Sequence, residues 1–312
     1  MSFVVTEKEV IEMYKPILLN IPAKSFLAGE YLALQGMGAL VFCSQPGFAF
    51  EIQKKSQTEN PFHAESPAGR LWLREKKWIV NYKFIFLAGA DLKGWGTSTA
   101  EFIAVHALLQ MKDSLWVEEQ RFFDLHWMLR DYQEIARDKS AIFPPSGADL
   151  VAQVNGGLTL FERQSGKIQK FAWPFHDISF VLLPTGRKLK THEHLSALGQ
   201  MSVDNLKHIF EMLKLSLQTV NQQLFVQSIQ EYGAELKQLN LLSKNSELDL
   251  DSYTQDYILA KKGCGAMGED VLLLVIKKQA EFHFKNQVGS WSMGEGLTVK
   301  PLQWQAEGIH NA

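Results

Sequence analysis

The sequence predicts a mixed α+β chain, and three features carry that expectation. Short apolar runs broken by Gly and Pro fill residues 16 to about 53. A stretch apolar on most faces follows at 100–112. A long polar-faced helical region, 193–260, then leads into the continuous apolar run VLLLVI.

Taken in order, "ILLNIPAKSFLAGEYLALQGMGALVF" reads as strands joined by tight turns. "GRLWLREKKWIVN" (69–81) predicts a β-hairpin turning near Glu75 to Lys77, because Trp and aliphatic residues alternate there with polar ones. "AEFIAVHALLQMK" predicts a buried helix, and a second helix is expected from roughly Val117 to Arg137. "DLVAQVNGGLTLFE" (149–162) and "DISFVLLPTG" (177–186) return to strand character. Beyond them Leu, Ile and Phe recur at three- and four-residue spacing, with no glycine between Gly199 and Gly233. "GCGAMGED" (263–270) interrupts the helices ahead of a buried strand, and a helix and a strand near 297–301 close the chain. The change of character near 170–190 divides it into expected domains 1–180 and 181–312.

At 312 residues and 46% hydrophobic content the chain can fill the core of one large or two medium domains. Its 32 Lys and Arg against 34 Asp and Glu leave a net charge of -2, so no global positive field draws it to nucleic acid or anionic membrane. An anion must be held by a local site. Cys43 and Cys264 are too few for a disulfide framework and too far apart for a metal knuckle, which fits a reducing cytoplasm. Glu7, Glu9 and Glu12 interrupt what a secretory signal would need, and no run of 18 apolar residues occurs.

Three glycine-marked segments carry the candidate chemistry. In "KGWGTSTAEF" (93–102), Gly94 and Gly96 flank Trp95, and Thr97, Ser98 and Thr99 precede an apolar helix. Free amides and the positive end of the macrodipole at a helix start can wrap phosphate oxygens, glycine lets the backbone come close, and a hydroxyl can ligate Mg²⁺. The same residues also make an ordinary N-cap. In "PPSGAD" (144–149), two prolines and Gly147 hold Asp149 on a short leash, as a proton-accepting carboxylate requires, although such a string also forms a plain turn. In "GCGAMGED", glycines before a buried strand fit either close backbone contact with a ligand or a crowded turn. Lys24, set among apolar strand residues, needs a partner or must snorkel to the surface.

Together and in this order, the lysine strand with AGEY (28–31) and GMGALVF, the GWGTSTA loop, PSGAD and GAMGED resemble the superfamily of galactokinase, homoserine kinase, mevalonate kinase and phosphomevalonate kinase, the GHMP kinases. The similarity spans about residues 16–276, and AGEY with the Gly-Ala-x-Gly-x-Asp arrangement at 265–270 looks most like the phosphomevalonate kinase branch. The resemblance implies an N-terminal mixed α/β domain and a C-terminal ferredoxin-like α+β domain with nucleotide between them. It further implies ATP and Mg²⁺ as cofactors and a small-molecule acceptor; the charge balance leads us to expect no nucleic-acid or membrane partner, and the expected state is a monomer or homodimer.

Carried over by residue, Gly94, Trp95, Gly96, Thr97, Ser98 and Thr99 would hold the ATP phosphates, with Ser98 also touching the metal. Asp149 would orient or deprotonate the acceptor, and Lys24 would stabilise the transferring phosphoryl group. Ser146, Gly147, Gly265 and Ala266 would line the acceptor, and Asp138 or Glu134 would supply an acidic metal ligand. Arg187, Lys188, Lys190 and His192 fit either a phosphate-bearing acceptor or a solvated basic turn. This chain departs from the family pattern at Ala23, Trp95, Thr97, Met267 and Glu269. The expected activity is phosphoryl transfer to mevalonate or phosphomevalonate. The alternatives are a diphosphomevalonate decarboxylase-like reaction or a non-catalytic ligand sensor on the same scaffold.

Overall fold

The computed structural model of the chain describes residues 16–89, 94–113, 124–137, 145–184, 202–241, 256–264, 271–281 and 303–305. These residues form two antiparallel sheets with helices packed against them, the mixed α+β class the sequence predicts. No described helix is long and apolar enough to cross a membrane.

The first sheet is built on two long strands, β1 (Ile17–Ala28) and β2 (Gly38–Gln53), paired along most of their length. Because β1 occupies one flank of β2, the other flank is shared. Its beginning pairs with β4 (Leu158–Glu162) and its end with β3 (Lys83–Ala88). Outside β4 lies β5 (Lys167–Phe171), and β9 (Gln303–Gln305) pairs with the free side of β1. Pro22 has no N–H to give to the ladder, and the β1–β2 register shifts between Ile21 and Ala23, as expected for proline in a strand.

Helices α1 (Pro67–Arg74) and α2 (Lys76–Ile79) replace the hairpin expected at 69–81. The deciding residues lie just upstream of that segment. Ser66 caps the helix by accepting from the Gly69 N–H, and Pro67 stands in the first turn, where its missing donor costs nothing. Ala68, Leu71 and Trp72 are buried at helical spacing while Leu73 faces solvent, so the apparent alternation belongs to one face of a helix.

Helix α3 (Thr97–Asp113) is buried continuously from Phe102 to Gln110, in agreement with its all-round apolar text. Of the second expected helix, α4 (Leu125–Ile135) is described, capped by the Asp124 carboxylate accepting from the Trp127 N–H. Residues 149–162, expected as strand, divide instead into α5 (Ala148–Asn155) and β4. Gly156 and Gly157 make the break, both at positive φ, and the apolar residues before them serve a helix face.

The second sheet has the order β6 (Ile178–Pro184), β8 (Val271–Lys277), β7 (Ile258–Cys264). Its central strand is the VLLLVI run, buried throughout as an interior strand should be. The polar-faced region supplies α6 (Asp204–Gln218) and α7 (Gln222–Gln238), an antiparallel pair of which α7 packs on β7 and touches β1. The strand expected near 297–301 lies outside the described residues.

One apolar core joins the two sheets. Phe42 of β2 stacks on Phe180 of β6 with ring centroids 5.3 Å apart, and Trp173 and Phe225 extend the cluster. The expected division at 180/181 falls inside β6, and β9 returns to the first sheet.

Candidate active site

Lys24 lies in β1 just after the irregularity at Pro22. Its main-chain N–H donates to the Trp95 carbonyl at 2.8 Å, which binds the glycine loop directly to the lysine strand. Its side chain is 12% exposed, with Nζ 3.9 Å from Asp149 Oδ2 and 4.8 Å from the centre of the Phe26 ring. The partner that a lysine among apolar residues needs is therefore a carboxylate 125 positions away in the chain.

The loop keeps the geometry its glycines allow. Gly96 has φ of 101°, and a Cβ there would fall 2.8 Å from Lys24 Cγ and 2.9 Å from Gln153 Nε2. No other residue fits between these two side chains without displacing one of them. The Gly96 carbonyl accepts the first bond of α3 from the Ala100 N–H at 2.9 Å and a second from Thr99 Oγ1 at 3.1 Å. Thr99 is thus buried and committed, Thr97 is half-buried, and Ser98 stands exposed at the helix mouth. Trp95 is 3% exposed and belongs to the main core, so its indole anchors the loop from below.

Asp149 is set by the start of α5. Gly147 adopts the left-handed conformation as its N-cap, with φ of 77°, and Leu129 occupies the space a side chain would need. Asp149 follows in the first turn, where the helix dipole favours a negative charge. Its Oδ1 accepts from the Leu150 N–H at 3.2 Å, leaving Oδ2 toward Lys24. Ser146 accepts from the Ala148 N–H at 3.3 Å through its hydroxyl and from Gln133 Nε2 at 3.3 Å through its carbonyl.

The electrostatics define what this arrangement can do. Burial, reinforced by the Asp149 charge, pushes the Tyr132 hydroxyl well above its usual range, so Tyr132 stays neutral. Burial likewise pushes up the Cys43 thiol, which Lys24 only partly offsets, and Cys43 donates to the Ala152 carbonyl at 3.1 Å. Neither group is a nucleophile. What remains at the surface of the site is an ammonium, a carboxylate, an exposed hydroxyl and the positive end of a 17-residue helix. That set suits a polyanion undergoing group transfer.

Of the sequence-predicted residues, the structure brings Lys24, Asp149 and the loop 94–96 together, with Ser98 in the first turn of the helix that follows. Ser146 and Gly147 border Asp149. Glu134 is exposed on α4, whereas Asp138, Gly265, Ala266, Met267, Glu269 and the basic residues Arg187, Lys188, Lys190 and His192 lie outside the described residues. Among the described residues no cluster of three or more His, Cys, Asp and Glu could hold a metal. The Ser98 hydroxyl, exposed at the helix mouth, is a described oxygen that could ligate Mg²⁺, a cation that takes oxygen donors and keeps several waters.

Two features went unnoticed in the sequence. Gln153, one turn beyond Asp149, is buried against the Gly96 loop; reading 149–162 as a strand hid that helical relation. Glu30 of AGEY forms a buried ion pair with Lys262 of β7, Nζ to Oε1 at 2.7 Å. Lys262 Nζ also donates to the Phe26 carbonyl at 3.2 Å, and the neighbouring Tyr232 hydroxyl accepts from the Gly29 N–H at 2.8 Å. Burial works against the Lys262 ammonium, but Cys264 and Glu30 more than offset it and hold its pKa above the usual lysine value. No spacing rule connects residues 232 positions apart.

No family model matches the sequence, and no curated protein matches it. Solved structures do. L. major mevalonate kinase in complex with R-mevalonate is similar at a TM-score of 0.64 and 18% identity, over 88% of this chain and 93% of that one. Streptococcus pneumoniae phosphomevalonate kinase, in complex with phosphomevalonate and AMPPNP, is similar at 0.63 and 16% identity, over 87% and 95%. Lactococcus lactis galactokinase complexed with galactose is similar at 0.60 and 11% identity, over 88% and 89%. The fold of this chain is that of the GHMP kinases.

Proposed function

We propose that this chain is an ATP- and Mg²⁺-dependent small-molecule kinase that transfers the γ-phosphoryl group of ATP to mevalonate, phosphomevalonate or a closely related acceptor. The observation that carries this reading is the approach of Lys24 Nζ to within 3.9 Å of Asp149 Oδ2, beside a glycine loop bonded to the lysine's own main chain. Phosphoryl transfer asks a protein chiefly for positioning and charge stabilisation, and these groups supply both.

In the proposed reaction the acceptor oxygen bonds to the γ-phosphorus as the bond to the β-bridging oxygen breaks, and ADP leaves. Asp149 orients the acceptor and takes its proton where the acceptor is a hydroxyl; a phosphate acceptor already ionised needs orientation only. Lys24 neutralises charge gathering on the transferred group and on the acceptor oxygen. The mouth of α3, with Gly94, Gly96 and the Ser98 hydroxyl, receives the nucleotide phosphates. Mg²⁺, when bound, supplies further charge neutralisation, with Ser98 and the acidic residue Asp138 as the ligands the resemblance implies.

AGEY and the 265–270 pattern favour the phosphomevalonate branch, and the neighbours bound to R-mevalonate and to phosphomevalonate with AMPPNP make those two acceptors the first to try. The purified protein, given ATP, Mg²⁺ and a panel of mevalonate-series and sugar acceptors, should release ADP with one of them. Asp149→Ala should lower kcat by about 10²- to 10⁴-fold, the usual contribution of a positioned acid or base. Carbon dioxide release would reassign the chain to decarboxylation, and tight nucleotide binding without ADP would reassign it to sensing.

A further inference from the structure

Gln153 is fully buried one helical turn beyond Asp149, and its hydrogen bonds have an uncommon pattern. Nε2 donates to the Pro22 carbonyl at 2.8 Å and faces the Gly96 carbonyl at 3.3 Å. Both partners are acceptors only, so the amide must present its nitrogen to them. Oε1 is then buried with no hydrogen-bond partner. A buried acceptor without a protein partner is costly, and an apolar side chain of the same size would avoid it. Nor does Gly96 need the amide, since its carbonyl already accepts from Ala100 N–H and Thr99 Oγ1.

What the Gln153 side chain does is link all three pieces of the site. Its helix carries Asp149, Pro22 precedes Lys24 by two residues on β1, and Gly96 forms the turn at the mouth of α3. We propose that Gln153 is a positioning residue that fixes the separation between the nucleotide-binding loop and the Lys24–Asp149 pair, and so keeps the transferred phosphoryl group directed at the acceptor instead of water. This rests on the kinase reading above. An in-line displacement is sensitive to misplacement, and about 1 Å can cost about 10²-fold in rate. In the productive reaction the acceptor oxygen takes the γ-phosphoryl group and ADP leaves. When alignment is lost, a water oxygen takes the acceptor's place and inorganic phosphate appears with the ADP.

The measurement is the amount of phosphorylated acceptor formed per ADP, in the full chain, for wild type, Gln153→Met and Gln153→Glu. Met keeps the volume without the donor, and Glu keeps the shape but turns a carboxylate toward two carbonyls. Wild type should stay near one product per ADP. Either folded variant should fall several-fold in that ratio, with kcat about 10- to 100-fold lower. A loss of folded protein lowers product and ADP alike and leaves their ratio unmoved, so an unchanged ratio in a folded variant overturns the proposal. If wild type phosphorylates no acceptor, the kinase reading fails separately. The tether is then read from amide hydrogen exchange at Lys24 and Ala100: faster exchange there in either variant, against unchanged exchange in β8, supports it, and unchanged exchange at both overturns it.

Discussion

Gly96 shows how much of the site one backbone angle holds. At φ of 101° and with Lys24 Cγ and Gln153 Nε2 in the place of a side chain, it lets the loop pass close against the lysine strand. Gly96→Ala should cost about 1–3 kcal/mol from the backbone strain alone, before any displacement of Lys24 is counted. A fall in the urea midpoint together with a loss of nucleotide affinity would confirm both effects; an Ala variant with wild-type affinity would mean that the loop does not grip phosphate. Gly96, Lys24 and Asp149 were all legible in the sequence because glycine before hydroxyls, lysine among apolar residues and aspartate after Pro-Ser-Gly are each locally odd. Gln153 was not, because nothing in its neighbours marks a glutamine whose partners lie on two other elements.

At the scale of elements, strands β6 and β8 and helix α3 could be read directly, since burial on both faces or all round writes a continuous apolar run, while β1 and β2 were read from shorter apolar runs broken by Gly and Pro. The failures at 69–81 and 149–155 came from amphipathic segments too short to separate a period of 2 from one of 3.6, where capping residues decide. His106 of α3 lies where that helix meets α4, against Trp127 and Asp131, and no periodicity revealed it. Gln110 must give its oxygen to the Asp124 N–H, so its amide nitrogen faces His106 Nδ1 at 3.1 Å. The imidazole therefore accepts on Nδ1 and carries its proton on Nε2, 3.3 Å from Asp131 Oδ2 but poorly aligned with it. Asp131 is itself held by Arg74 of α1 at 2.7 Å.

Burial is the main force lowering the His106 pKa, from 6.5 to about 4; the Arg74 charge adds to it, and Asp131 opposes it only in part. Between those values the unfolded chain binds a proton that the folded chain refuses. Stability is thus complete above about pH 6.5 and falls as the pH drops toward 4, by up to about 3 kcal/mol. Urea midpoints taken from pH 7 to 4.5 should decline more steeply for wild type than for His106→Gln. Parallel profiles would show that the imidazole protonates freely in the native state.

For the whole molecule, the ion pair of Glu30 and Lys262 ties the end of β1 to β7 across the two sheets. Its value lies in not being broken. Lys262→Met would leave a buried carboxylate without its cation and should cost about 3–5 kcal/mol, whereas Lys262→Met combined with Glu30→Gln should recover most of that loss. Denaturation midpoints of the single and double variants decide the matter, and equal losses in both would deny the pair any coupling. Nothing in the sequence foretold this joint, because a contact made only after both sheets have formed leaves no local pattern.

The stacked pair Phe42 and Phe180 sets a condition on how the two halves can be inherited. Phe42 stands next in the chain to Cys43, the residue paired across the ladder with Lys24, so a ring at the seam is one peptide away from the register of the ammonium. A chimera that borrowed its second sheet from a distant relative would have to bring along a ring of matching size and tilt, or leave Phe42 without its stacking partner.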